Sequence, residues 1–302
     1  MALDPIQTRL TRGDIVLLDG AMGTELERLG VPTALPLWSA QALLDAPDRV
    51  REVHESYVQA GADVITSATF RTTPRSLKKA GLEAEADRLT SLAVELAKQA
   101  RDRAAGGRDV RVAGSMAPLE DCYRPERSPA APDAEREHKE QAERLARAGA
   151  ELLLIETMGT AAEAAAAVRA ARATELPVWV SFLCKSGTEL YSGEPLSAAV
   201  RLVTTLAPDA VLVNCVPVAI ATECLEVIGR ATALPYGCYA NAGSPDLGRS
   251  TWCFDPEMTP ERFAAAAAGW LQRGAQIVGG CCGTGPDHTR ALRDALPPVL
   301  ME

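Results

Sequence analysis

Leu152-Leu153-Leu154-Ile155-Glu156-Thr157 sits between two helical stretches, Asp133 to Ala148 with Gly149 behind it and the alanine-rich Ala161 to Ala173. Four successive aliphatic residues without polar alternation describe a strand buried on both faces, as in a parallel sheet covered by helices. The helix before it has Asp133 in the place of a cap and a glycine stop, so the unit reads helix, strand, polar strand end, helix.

The same unit recurs in both directions. Toward the N-terminus, Ile15 to Leu18 is a strand ending in Asp19-Gly20-Ala21-Met22-Gly23-Thr24, and Glu25 to Leu29 is helical. Pro47 to Ala60, stopped by Gly61, precedes the strand Asp63 to Ser67, and a long helix from Leu82 to about Ala105 precedes the strand Val110 to Ala113. Toward the C-terminus the strands are Val178 to Phe182, Ala210 to Val213, Tyr236 to Tyr239 and Gln276 to Val278, separated by helices over Leu196–Leu206, Thr222–Gly229 and Pro260–Gly274. Eight strands in strict alternation with helices imply a parallel sheet. At this length they predict one (β/α)8 barrel domain over residues 1–302. An open doubly wound sheet is the competing fold, but Gly20 to Gly23 lacks the Gly-x-Gly-x-x-Gly spacing of its nucleotide turn.

Composition narrows the function. A formal charge of -9 gives no basic footprint for nucleic acid or an anionic membrane. No apolar run is long enough to span a bilayer. Eight cysteines spread over 302 residues without a secreted-scaffold spacing predict reduced thiols in a cytoplasmic enzyme.

In a (β/α)8 barrel the active site lies where the strands end, so polar residues directly after strands are its candidates. Asp19, Glu156, Asn214, Cys215, Cys281 and Cys282 all occupy such positions. Gly279-Gly280-Cys281-Cys282-Gly283-Thr284-Gly285 carries two adjacent thiols that are poorly placed to bridge each other. Glycine permits the sharp bend that would turn both toward one metal. With Cys215 as a third thiolate, the set describes a zinc site with one open position, of the kind that activates a thiol.

These residues resemble the homocysteine S-methyltransferase family over the full chain. The resemblance rests on Leu18-Asp19-Gly20-Ala21-Met22-Gly23-Thr24-Glu25-Leu26, Leu37-Trp38-Ser39, Ala60 to Thr66, Glu156-Thr157, Val213-Asn214-Cys215 and the Gly-Gly-Cys-Cys-Gly-Thr run. It implies a Zn2+-bearing barrel in which the thiolate of L-homocysteine attacks the methyl group of an activated small donor and gives methionine. Cys215, Cys281 and Cys282 would be the metal ligands by position. Asp19 and Glu156 are expected near the amino end of homocysteine, and the turn Gly20-Ala21-Met22 near its carboxylate. Trp38 is a candidate wall of the donor pocket, with packing beneath the first loop as its alternative, and Asn241, after the seventh strand, is a candidate at the mouth.

The chain departs from the family pattern at Arg71, where Tyr or Gln is common, and at Ala117, where Gly is common. A guanidinium at Arg71 would disfavour a nearby sulfonium or ammonium. The donor therefore stays open among S-methylmethionine, S-adenosylmethionine and a betaine-like compound. Another small thiol or selenol is an alternative acceptor, and a zinc- or redox-sensing thiol protein is the non-enzymatic alternative. Asp19 competes as an N-cap, Glu156 as half of an ion pair, and Asn241 as a turn residue. His54, His138 and His288 read as surface or packing residues, Cys184 and Cys238, near strand ends, as core or peripheral thiols, and Cys122, Cys224 and Cys253 show no ligand spacing.

Overall fold

The structure, a computed structural model, describes residues 4–246 and 251–296. Eight parallel strands form a barrel in the predicted alternation with helices: β1 (Val16–Leu17), β2 (Val64–Thr66), β3 (Arg111–Met116), β4 (Leu152–Met158), β5 (Val178–Phe182), β6 (Ala210–Pro217), β7 (Tyr236–Asn241) and, after a hairpin of β8 (Gly243–Asp246) and β9 (Thr251–Phe254), β10 (Ile277–Gly280). Each strand pairs with its neighbour in sequence, and β10 pairs with both β7 and β1. Between β1 and β2 the seam is joined by a parallel bridge from Leu18 to Val64 and by the bonds Asp63 N to Leu17 O (2.8 Å) and Asp19 N to Val64 O (3.0 Å).

Side-chain alternation along the strands builds two apolar layers. Val16, Val64, Leu152, Leu154, Trp179, Leu212 and Ile277 fill the inside of the barrel. The helix Pro5–Arg12 packs Ile6 and Leu10 against the same group. The other strand residues, with Leu17, Ile65, Leu153, Val180 and Val213 among them, face the surrounding helices. Few aromatic side chains are needed because valine, leucine and alanine fill both layers.

Asp63 ties the N-terminal side of the barrel together. Its carboxylate accepts from the Leu17 N–H (2.9 Å), Arg9 (3.1 Å) and Arg293 (2.7 Å). Gly237 has no room for a side chain, because a Cβ there would run into the Ile277 carbonyl of β10.

Some expectations need correction. The helix before β4 is Ala131–Ala148 with Ala130 at its cap, so Asp133 lies within its first turn instead of capping it. Pro132 at an early helical position explains the earlier start, since its fixed φ suits the first turn. The long helix is Ala86–Ala104, preceded by a separate 3-10 turn, Glu83–Glu85. The hairpin β8–β9 is an addition, lying between the expected strand Tyr236 to Tyr239 and helix Pro260–Gly274, where no strand is expected.

Candidate active site

The strand ends bring the distant candidates together around one cavity of about 540 Å³, within the range of small-molecule sites. Asp19, Gly20, Ala21, Met22, Trp38, Glu156, Cys215, Cys281 and Cys282 all line it. Asn241 does not, but its side-chain amide points at the Cys215 sulfur from 4.0 Å.

Two strand irregularities aim the site. β4 shifts register against β5 between Ile155 and Met158, and β6 against β7 between Asn214 and Pro217. Within these bulges Thr157 has φ 63° and Cys215 φ 58°, a left-handed backbone that costs non-glycine residues and is met where a site imposes it. The buried Asn214 amide locks both bulges. It accepts from Thr157 N (2.9 Å) and Ser181 Oγ (2.7 Å) and donates to Thr157 Oγ1 (2.9 Å). Asn214, next to Cys215 on β6, thus ties the Thr157 bulge of β4 to its own strand through its side-chain amide.

At the end of β10, Cys281 N donates to Ala240 O (2.7 Å), and Thr284 N and Oγ1 both donate back to Cys281 O. Gly283, at φ 83°, completes the turn that brings Cys281 and Cys282 to Cys215. The three sulfur atoms lie within 4.8 Å of one another. Zinc–sulfur bonds of about 2.3 Å in a tetrahedron separate the sulfurs by roughly 3.8 Å, so the set fits such an ion with small adjustments. The protons are already unequally shared. The Cys215 thiol is held well below its ordinary range, chiefly because Cys281 and Cys282 donate to it, with further bonds from Tyr123 and Asn241. That pairing raises Cys281 and Cys282.

The two carboxyls flank this cluster. Asp19 accepts from the N–H (2.7 Å) and hydroxyl (3.0 Å) of Thr66 across the β1–β2 seam. It caps no helix: Gly23–Arg28 starts after Met22 without a side-chain cap. Burial raises its pKa to about 8, opposed by the Thr66 bonds and helped by the charge of Glu156. Glu156 is buried with the Ser115 hydroxyl and Tyr239 Oη (3.3 Å), and no basic side chain pairs with it among the described residues. Its pKa is pushed up to about 7, again mainly by burial. Two buried carboxyls lacking a cation form a ready acceptor for an ammonium group.

The turn after β1 is pinned by Tyr57, whose hydroxyl meets Ala21 O (2.8 Å) and Thr284 O (3.2 Å). Among the described residues the N–H groups of Gly20, Ala21 and Met22 find no acceptor. Trp38 stands edge-on to Phe70 (5.8 Å between centroids) and presses so closely on Gly23 that no Cβ would fit there.

Several site residues escaped the sequence reading. Tyr123 places its hydroxyl 3.5 Å from the Cys215 sulfur, while Thr66, Ser115 and Tyr239 satisfy the carboxyls. Three of these lie at strand ends, the signal that found Asp19 and Glu156. Tyr123 lies in a long loop and carried none. Cys122, which shows no ligand spacing in the sequence, lines the cavity. The three histidines take the packing role among those expected, His54 and His138 buried and His288 half-buried. His54 is buried and pushed down to about 3 by desolvation, His138 meets Glu163 (3.2 Å), and His288 bonds Gly285 N (3.2 Å) at the start of its helix.

The profile of the family described as homocysteine S-methyltransferase matches residues 16–296. The chain is 34% identical over 304 residues to the homocysteine S-methyltransferase of Escherichia coli (strain K12), covering 96% of this chain and 98% of that protein. It is 32% identical to homocysteine S-methyltransferase YbgG of Bacillus subtilis (strain 168), covering 96% and 97%. The metallated form of the E. coli homocysteine methyltransferase MmuM superposes with a TM-score of 0.84 at 33% identity, over 96% of this chain and 99% of that one.

Proposed function

This chain belongs to the homocysteine S-methyltransferase family, and from that premise we propose that Cys215, Cys281 and Cys282 hold a zinc ion at which L-homocysteine takes a methyl group from a small onium donor, giving methionine. The observation that carries this reading is the closure of three sulfurs to within 4.8 Å beside two buried carboxyls in one cavity. When bound, zinc supplies a Lewis acid that keeps a substrate thiol deprotonated at neutral pH and leaves a fourth position for it.

The chain's own residues do the positioning. Asp19 and Glu156 receive the substrate ammonium, and its arrival lowers their pKa values by placing a cation beside each. The unused N–H groups at Gly20, Ala21 and Met22 receive the carboxylate. Tyr123 and Asn241 donate toward Cys215 and temper its charge, as partners beyond the ligands commonly do. Trp38 and Phe70 wall the cavity and exclude water from the reacting atoms. With both substrates aligned, the homocysteine sulfur attacks the methyl carbon and the donor heteroatom leaves with the bonding pair. No protein nucleophile or general base is required, so most of the rate comes from alignment and an ionised sulfur. The site asks for reduced thiols, and all eight cysteines are free, which supports a reducing compartment such as the cytoplasm.

The test is methionine formation by reduced, zinc-loaded protein with homocysteine and a panel of donors, beside a chelated control. Zinc-dependent product is expected, with Cys281→Ser losing both bound metal and at least about 1,000-fold in kcat/KM, because an ionised sulfur and its alignment are lost together. Product formation at the wild-type rate by the metal-free protein would sink the proposal.

A further inference from the structure

Arg71 is the one basic side chain among the described residues lining the cavity, and it has no hydrogen-bond or ion-pair partner there; its buried Nε is unsatisfied. Arg71 is half-buried, and a buried donor such as its Nε left without a partner is costly and calls for an explanation, a ligand being one. The cavity also holds Asp121, whose Oδ1 accepts from Tyr123 N (3.0 Å) and which makes no ion pair with Arg71. Both charges act on the buried thiol of Cys122, which burial raises first, with Asp121 raising it and Arg71 lowering it. A cation and an anion thus line the same cavity without pairing with each other.

We propose that Arg71 and Asp121 clamp the α-amino-acid end of the methyl donor, the guanidinium on its carboxylate and Asp121 on its ammonium, so that the enzyme selects an amino-acid sulfonium. This rests on the methyl-transfer reading above. It also resolves the departure at Arg71: a carboxylate lies between the guanidinium and the onium, so the two cations do not face each other. During transfer the sulfonium S–CH3 bond breaks, its electron pair stays on the donor sulfur, and the methyl carbon bonds to the homocysteine sulfur. The donor becomes a neutral thioether, while its carboxylate and ammonium are unchanged. Contacts that are equal in ground and transition state move KM and leave kcat.

The experiment compares wild type, Arg71→Gln, Arg71→Lys and Asp121→Asn with S-methylmethionine, S-adenosylmethionine, dimethylsulfoniopropionate, betaine and trimethylsulfonium, reading methionine formation and, by calorimetry, donor binding. Arg71→Gln should raise the KM for the amino-acid sulfonium about 10- to 100-fold with kcat within a few-fold and the homocysteine KM unmoved. Arg71→Lys should recover part of the loss. Asp121→Asn should erase the preference for S-methylmethionine over dimethylsulfoniopropionate, which lacks the ammonium. The two amino-acid sulfoniums show by their relative KM which one the remaining cavity accepts. Equal use of trimethylsulfonium by the wild type, an unchanged donor KM in Arg71→Gln, or a shift in the homocysteine KM instead would overturn the clamp. Weaker S-methylmethionine binding by Arg71→Gln without any wild-type turnover of homocysteine would uphold the clamp and remove the acceptor reading.

Discussion

Asp19 belongs to the fold and to the cavity at the same time: its oxygens accept from Thr66 across the seam, and it lines the cavity. Burial is the leading cause that places its pKa at about 8 and that of Glu156 at about 7, so both are partly protonated at neutral pH before substrate arrives. An ammonium binds the ionised forms, and kcat/KM for homocysteine should therefore rise from pH 6 to 8.5. Glu156→Gln should remove the inflection near 7 and lower kcat/KM about 10- to 100-fold, the worth of one charge-assisted bond. Stability runs the other way. A carboxyl raised on folding stabilises the folded state fully below its unfolded pKa, and the contribution is lost as pH climbs through the folded value. Between pH 4 and 8 the metal-free wild type should thus lose more Tm than Asp19→Asn, which has no proton to release; equal losses in the two proteins would show that Asp19 is not the buried acid described here. Both carboxyls were legible in the sequence as polar residues at strand ends. Their protonation was not, since it depends on how completely neighbouring elements exclude water.

The bulged ends of β4 and β6 bring Thr157 and Cys215 to the cavity, and Asn214 holds them there. Asn214→Ala leaves buried Thr157 and Ser181 groups without partners and should cost about 2–4 kcal/mol by denaturant melting, with weakened zinc affinity. Asn214→Asp is a sharper probe: it keeps an acceptor but loses the donor to Thr157 and adds a buried charge next to Cys215. Gly237→Ala acts at the same scale. Its methyl group meets the Ile277 carbonyl, so β7 and β10 would have to part, at a cost of about 3 kcal/mol or more. The helix and strand positions themselves were largely readable, because Gly61 and Gly149 stop helices where a left-handed residue is required. The bulges were not, since a register shift is a relation between two strands and leaves no mark on either alone.

At the scale of the whole barrel, Cys215 belongs to β6 and Cys281 and Cys282 to the turn after β10, so a metal held by all three joins elements separated by β7. Zinc should therefore raise the Tm, by about 5 °C at a hundredfold excess over its Kd, and should do so little in Cys281→Ser. A Tm shift of the same size in that variant would mean the metal binds elsewhere. Among the described residues no helix is long and apolar enough to cross a membrane, in keeping with the short buried strands that the sequence shows. From the residues alone came the eight-fold alternation, the strand-end carboxyls and the three thiols, because hydrophobic period, glycine stops and chemical type are local properties. Only the tertiary structure decided that Asp121 and Arg71 share a cavity, that Tyr123 reaches Cys215, and that among the described residues Arg71 has no partner and the buried carboxyls no cation. Those facts depend on which loops meet over the barrel mouth and on the water they displace, and they emerge only when distant segments close on one another.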